Sequence, residues 1–164
     1  MSKHRMCLNI GAGPKPKLSN GGETWINLDV KELPGIDVVC DMRDGLPFES
    51  EHFDFILADN VLEHFVSRDA INLLNEMGRV LKVNCDAEII VPDARSQGAF
   101  QDPTHLSFWV PRSALYWNQE QSPYGGVFVG ITANLVAQRI DQWGSREEEA
   151  FIRFVVRKKE LRHD

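Results

Sequence analysis

A strand-length apolar run, Met6 to Ile10, breaks into Gly11-Ala12-Gly13 and then Pro14, Lys15 and Pro16. Glycine lacks a Cβ and tolerates positive φ, so a ligand can approach the backbone amides of such a turn closely. A dinucleotide fingerprint would carry a third glycine opening a helix, but Pro16 stands there. Three further apolar runs end in an acid or amide: Trp25–Val30 contains Asp29, Ile36–Cys40 meets Asp41, and Phe53–Ala58 meets Asp59 and Asn60. Asp29 is placed to accept from the two hydroxyls of a ribose. Asp41 is placed to accept from an exocyclic adenine amine while the Met42 N–H donates to a ring nitrogen. Each charge-assisted bond is worth roughly 1.5–3 kcal/mol. Acids at strand ends also cap loops, and Gly-x-Gly can be a plain tight turn. It is the two acids one strand apart that measure out an adenosine.

Two histidines compete for proton-transfer chemistry. His105 has Asp102 three residues before it to hold its ring, and His64 follows Glu63 just past the fourth apolar run. Both also read as hydrogen-bonded packing residues. An Asp-x-x-His pair joined by Glu63 or Asp93 has no metal-ligand spacing signature, and no metal is expected. His4, His52 and His163 read as surface residues, and no nucleophile elbow is present. Seven of the fifteen aromatics fall between Phe100 and Phe128, which suits either a pocket wall that attracts a cationic group or an ordinary core.

The apolar runs are near-continuous, as expected of strands buried on both faces of a parallel sheet. Val61, Leu62, Phe65 and Val66 give one apolar turn. Ser67 then reads as an N-cap, and Ile71, Leu74, Met77, Gly78 and Leu81 continue at helical spacing. Asn84 to Asp86 read as a turn, Ala87–Val91 as a fifth strand, and Gln97–Gly126 as irregular chain. Leu135–Trp143 and Phe151–Arg157 alternate as a terminal antiparallel pair joined through Gly144–Glu149. The fold class is α/β: a doubly wound, mostly parallel sheet with a terminal antiparallel pair, its ligand beyond the carboxyl ends of the strands. Only Gly11 to Thr24 separate the first two strands, at the short limit for parallel pairing, so a loop or single turn is expected in place of the first crossover helix.

The 164 residues, 43% apolar and 26% charged, suit one domain spanning 1–164 with a substantial core. Cys7, Cys40 and Cys85 read as buried thiols. Residues 1–19 carry four bases and no acid, whereas residues 20–69 carry twelve acids against Lys31, Arg43 and Arg68. That acidic middle repels phosphate backbones, so no nucleic-acid partner is expected. The basic end, with Arg157, Lys158, Lys159 and Arg162, reads as a solvated strand exit. No apolar run is long enough to span a bilayer, and a cytoplasmic location is expected.

The segments LNIGAGPKP, WINLD, CDMRDGLPF, FDFILADNVLEHF and EMGRVLKVNCDAEIIVPD, in this order between Met6 and Asp93, resemble the successive motifs of small class I S-adenosylmethionine-dependent methyltransferases of the type-11 group. The resemblance implies a Rossmann-like methyltransferase fold and S-adenosylmethionine as cofactor. It implies that Gly11, Ala12 and Gly13 contact the methionyl part, with Asn9 in the same motif. Asp29 would contact the ribose, Asp41 and Met42 the adenine, and Asp59 with Asn60 the side nearest the sulfonium. Three departures stand out: Asn9 replaces a common Asp, Asn84-Cys85 replaces a glycine pair, and the first helix is absent. The last leaves a sheet face for a second subunit to cover, so a homodimer is an open expectation. The resulting expectation is methyl transfer to a small or medium acceptor. The alternatives are a non-catalytic adenosine-binding module and, disfavoured by Pro16 and Asp41, nicotinamide-linked oxidoreduction.

Overall fold

The computed structural model describes residues 4–117, 128–139 and 148–158. Seven strands form one sheet: β1 Arg5–Ile10, β2 Glu23–Asp29, β3 Val38–Val39, β4 Phe53–Asp59, β5 Leu81–Pro92, β6 Phe128–Arg139 and β7 Glu148–Lys158. Their order is β3-β2-β1-β4-β5-β7-β6. Strands β1 to β5 are parallel, and β7 runs antiparallel to both β5 and β6. The strand order reverses between β1 and β4, and a crevice opens beyond the carboxyl ends of strands at such a reversal.

One sheet face is apolar. Leu8, Ile10, Leu28, Ile56, Ala58 and Ile89 meet Ala70, Leu73, Leu74 and Met77 of helix α1, Ser67–Val80, in the main core. Strand side chains alternate in direction, so Cys7, Asn9, Trp25, Asn27 and Phe55 belong to the other face. There the first crossover is a loop, as its length requires. The Asn27 side chain, 4% exposed, receives Asn9 Nδ2 at 3.0 Å and Lys17 N at 2.7 Å on its Oδ1. It also donates from Nδ2 to Lys17 O at 3.0 Å. A polar clamp thus replaces the apolar stripe that a crossover helix would bury.

Three local expectations shift. Ser67 opens α1 as its first residue and is not its cap: Val66 is extended, and Ala70 N already donates to Val66 O at 3.0 Å. The turn at Asn84 lies inside β5, where Phe53 pairs Leu81 but Phe55 pairs Asp86. The extra residues bulge out around Asn84, whose φ of 61° an asparagine tolerates. The third strand shrinks from Ile36–Cys40 to two residues at the sheet edge. The terminal pair forms with both strands longer than expected, but the segment reaching Trp143 and the connection before Glu148 lie outside the described residues. No helix among the described residues is long and apolar enough to cross a membrane.

Candidate functional site

Beyond Ile10 the chain must turn at once, because Ala12 N donates back to Leu28 O at 3.0 Å. The turn needs positive φ at Gly11 (63°) and Gly13 (55°). At Gly11 a Cβ would also meet Val61 Cγ2 at 2.5 Å, so that position is closed to any side chain. The turn is then fixed from β2: Asp29, 8% exposed, accepts Gly13 N on Oδ2 and Lys31 N on Oδ1, both at 2.9 Å. One carboxylate therefore orders two loops and keeps lone pairs for a ligand.

Beyond β3, Asp41 caps the 3₁₀ turn Met42–Asp44 by accepting from Arg43 N at 3.0 Å. The Arg43 guanidinium lies across the same carboxylate, Nε 2.9 Å from Oδ1 and Nη2 2.5 Å from Oδ2, and holds it down at about 2, well below the usual carboxylate range. At the end of β4, Asn60 adopts φ 53° and sends its N–H to Ile90 O at 2.9 Å.

These loop ends enclose a cavity of about 550 Å³ lined by Gly11, Gly13, Asp29, Asp41, Met42 and Asn60 on the strand-end wall. Val61, His64, Phe65, Thr104 and Leu106 line it as well. The volume falls within the range of small-molecule sites, roughly 300–1,000 Å³. Seven of the residues singled out from the sequence thus share one cavity. Four do not line it. Asn9 spends its side chain on Asn27, and Ala12 is buried with its N–H on Leu28. Asp59 accepts from Asn60 Nδ2 at 3.2 Å, and burial among the strand ends raises its pKa. The His105 side chain is 8% exposed, with Nδ1 2.9 Å from Ala99 O.

The aromatic stretch divides differently from a pocket wall. Trp109 and Trp117 pack into the core, Trp117 edge-on to Phe154 at 4.6 Å, while Phe100 and Phe108 stack on each other at the surface. Tyr116 is exposed too. The chain between them reaches the cavity with Thr104 and Leu106 instead.

Residues 21–85 match the family model described as a methyltransferase domain. An Archaeoglobus fulgidus S-adenosylmethionine-dependent methyltransferase superposes with a TM-score of 0.71 at 18% identity, over 96% of this chain and 87% of that one. The fold is that of the S-adenosylmethionine-dependent methyltransferases. A Burkholderia thailandensis 1,6-didemethyltoxoflavin-N1-methyltransferase, seen with its acceptor and S-adenosylhomocysteine, gives 0.63 at 15% identity over 96% and 72%. A Haemonchus contortus phosphoethanolamine N-methyltransferase 2, seen with S-adenosylmethionine, gives 0.63 at 14% identity over 98% and 50%. No curated protein matches this sequence. The domain match and the fold support S-adenosylmethionine-dependent methyl transfer without identifying an acceptor.

Within this methyltransferase fold, sequence reasoning missed the roles of Asn27, Arg43 and Glu63. Asn27 sits in a strand run where its neighbours Ile26 and Leu28 are apolar, and a lone amide in such a run signals a buried hydrogen-bond hub. Arg43 follows Asp41 at the i+2 spacing of a capped turn. Glu63 carried a signal as well, being a carboxylate between Leu62 and the chain's turn toward Phe65, but its depth came only with the fold. It is 2% exposed, neither carboxyl oxygen has a hydrogen-bond partner among the described residues, and burial pushes its pKa up to about 8.

Proposed function

We propose that this chain binds S-adenosylmethionine in an extended pose along the strand-end wall and transfers its methyl group to a small or medium acceptor entering beside His64. The observation that carries this reading is the single cavity shared by the glycine turn, Asp29, Asp41, Met42 and Asn60. When bound, S-adenosylmethionine supplies an electrophilic methyl carbon on a sulfonium, which leaves as the neutral thioether. Gly11 and Gly13 give the methionyl part a backbone surface free of Cβ atoms. Asp29 accepts from the ribose hydroxyls, Asp41 from the adenine amine, and Met42 N–H donates to the ring. Asn60, and not Asp59, supplies the polar group nearest the sulfonium. His64 and Thr104 face the acceptor end, where His64 is a candidate to take the acceptor's proton.

Alignment of acceptor, methyl carbon and sulfur is the main catalytic contribution in this reading, worth roughly 7–11 kcal/mol in well-oriented systems. The compared N-methyltransferases, named for phosphoethanolamine and 1,6-didemethyltoxoflavin, support an acceptor that is a small polar molecule. The proposal further includes a single domain over 1–164, a cytoplasmic setting, and a homodimer, the last checked by sedimentation. Calorimetry with S-adenosylmethionine and S-adenosylhomocysteine tests the reading directly. One saturable site is expected, and no binding to folded protein overturns it. Binding with no S-adenosylhomocysteine release across a broad acceptor screen would favour the non-catalytic module.

A further inference from the structure

Beside the acceptor end of the cavity, two segments far apart in sequence are stitched together. Glu63 O accepts Leu106 N at 2.7 Å and Ser107 N at 3.1 Å, and Ser107 Oγ donates to Leu62 O at 3.0 Å. This brings Glu63, His64 and His105 so close that one ligand-capable atom from each lies within 4.8 Å of the others. The two rings meet edge to face at 5.0 Å.

Hydrogen bonding fixes what those rings offer. Ala99 O can only accept, so His105 Nδ1 carries the proton at 2.9 Å and Nε2 keeps a bare lone pair. The Thr104 hydroxyl donates to Asp102 Oδ1 at 2.7 Å, so it accepts from His64 Nδ1–H at 3.0 Å, and that ring's Nε2 is bare too. A ring proton donated to a carbonyl or to a carboxylate-held group, leaving the other nitrogen free, is the outer-shell arrangement that orients metal-ligating histidines. The third member is the buried Glu63 carboxyl, whose two oxygens find no donor among the described residues. Among the described residues the charges that act on Glu63 are the carboxylates of Asp59 and Asp102, and such a grouping is costly unless a cation or proton joins it.

We propose that Glu63, His64 and His105 bind one divalent transition-metal ion at the edge of the cofactor cavity. Two imidazoles and one carboxylate suit zinc, cobalt, manganese or iron over magnesium or calcium, and three protein ligands leave coordination positions open. Because His64 lines the cavity and Glu63 lies behind it, the open positions face the acceptor end. They suit an acceptor that carries an oxygen donor, such as a hydroxyl, carboxylate or phosphate. Only this role for the acceptor rests on the methyl-transfer reading; metal binding does not, and a metal on His64 Nε2 takes the place of that ring's part as proton acceptor.

The test uses the full chain without a histidine tag, stripped with a chelator and titrated with cobalt(II) chloride. A visible d–d band saturating at one equivalent is expected, with zinc displacing the cobalt. Glu63→Gln and His105→Asn should each weaken binding at least about 100-fold, whereas His52→Gln, far from the cluster, should leave it unchanged. If Glu63→Gln does not fold, as judged by circular dichroism, His64→Asn takes its place. No stoichiometric band in the wild type, or a band indifferent to these variants, overturns the proposal. Calorimetry of the stripped protein with S-adenosylmethionine reports separately on the proposed function, so either reading can fail alone.

Discussion

The two ends of the cavity are built by different means. At the strand ends the backbone does the shaping: Gly11 and Gly13 turn at positive φ, Asp29 gathers Gly13 N and Lys31 N, and Met42 opens a capped 3₁₀ turn. At the end where His64 lines the cavity, the groups presented are side chains from two segments, with Thr104 Oγ1 bonded to His64 Nδ1 forty residues away in sequence. A backbone-built wall tolerates little substitution, and the carboxylates of Asp29 and Asp41 hold its turns in place. The end lined by side chains hangs on the backbone bonds from Leu106 N and Ser107 N to Glu63 O, while the groups it presents to the cavity, His64 and Thr104 among them, are set by side-chain identity. On the proposed reading, one fold keeps a constant nucleoside grip while its second substrate varies.

The sharpest way to break this contrast is at Gly11. Gly11→Ala places a Cβ 2.5 Å from Val61 Cγ2 in a left-handed conformation. Strain of ~1–2 kcal/mol and overpacking of ~1–3 kcal/mol predict a loss of about 2–5 kcal/mol in denaturant unfolding, with cofactor binding lost alongside. Adding Val61→Ala should recover the steric part alone. Full recovery would show that the turn is not conformationally constrained. Next in size is Asp29→Ala, for which calorimetry should show S-adenosylmethionine affinity falling about ten-fold or more. Unchanged affinity would leave Asp29 as a loop clamp and remove it from the ligand wall.

The same contrast decides what the sequence discloses. The strand-end wall is legible because each element is local: an apolar run, then the residue that ends it, with Asp29, Asp41 and Asn60 at successive ends. The missing first helix is legible too, since Pro14, Pro16 and the glycines leave no room for one. The His64 end is not. Its members come from a 3₁₀ turn and an irregular loop, and no periodicity predicts that Glu63 O will bond Leu106 N. Aromatic density between Phe100 and Phe128 misleads for a related reason: composition does not say which side of a loop faces in, and Phe100 and Phe108 stack outward. The bulge at Asn84 reads as a turn because the residue preference is the same for both.

A smaller effect probes the support behind the walls. Glu76 accepts from Leu46 N at 2.9 Å and forms an ion pair with Arg79, whose Nη groups also hold Leu46 O and Phe48 O. The Arg79 hydrogen bond is the main reason the Glu76 pKa lies below its ordinary value. A depressed carboxyl stabilises the fold above its unfolded pKa, near 4.5, and this contribution is lost as pH falls through the lower folded value. Glu76→Gln should therefore cost about 1 kcal/mol at neutral pH, solvent screening included, and the gap to wild type should close below about pH 4.5. A gap that persists in acid would assign the effect to packing.

The smallest effect bears on the one place where the strand-end wall is not settled by backbone. Arg43 covers the Asp41 carboxylate from both oxygens, yet the carboxylate has further lone pairs and both residues line the cavity. If Asp41 grips an adenine amine in competition with the guanidinium, Arg43→Ala should tighten S-adenosylmethionine binding about two- to five-fold, the scale of an exposed ion pair. If the guanidinium instead lies over the purine ring, the same variant should weaken binding by a similar factor, because the stacking surface is lost. Added salt separates the two further: it screens the Arg43–Asp41 pair and should mimic the tightening in the first case, but does little to a stacked ring in the second. Affinity measured for wild type and Arg43→Ala at low and high salt thus decides whether Asp41 meets the cofactor itself or positions the arginine that does.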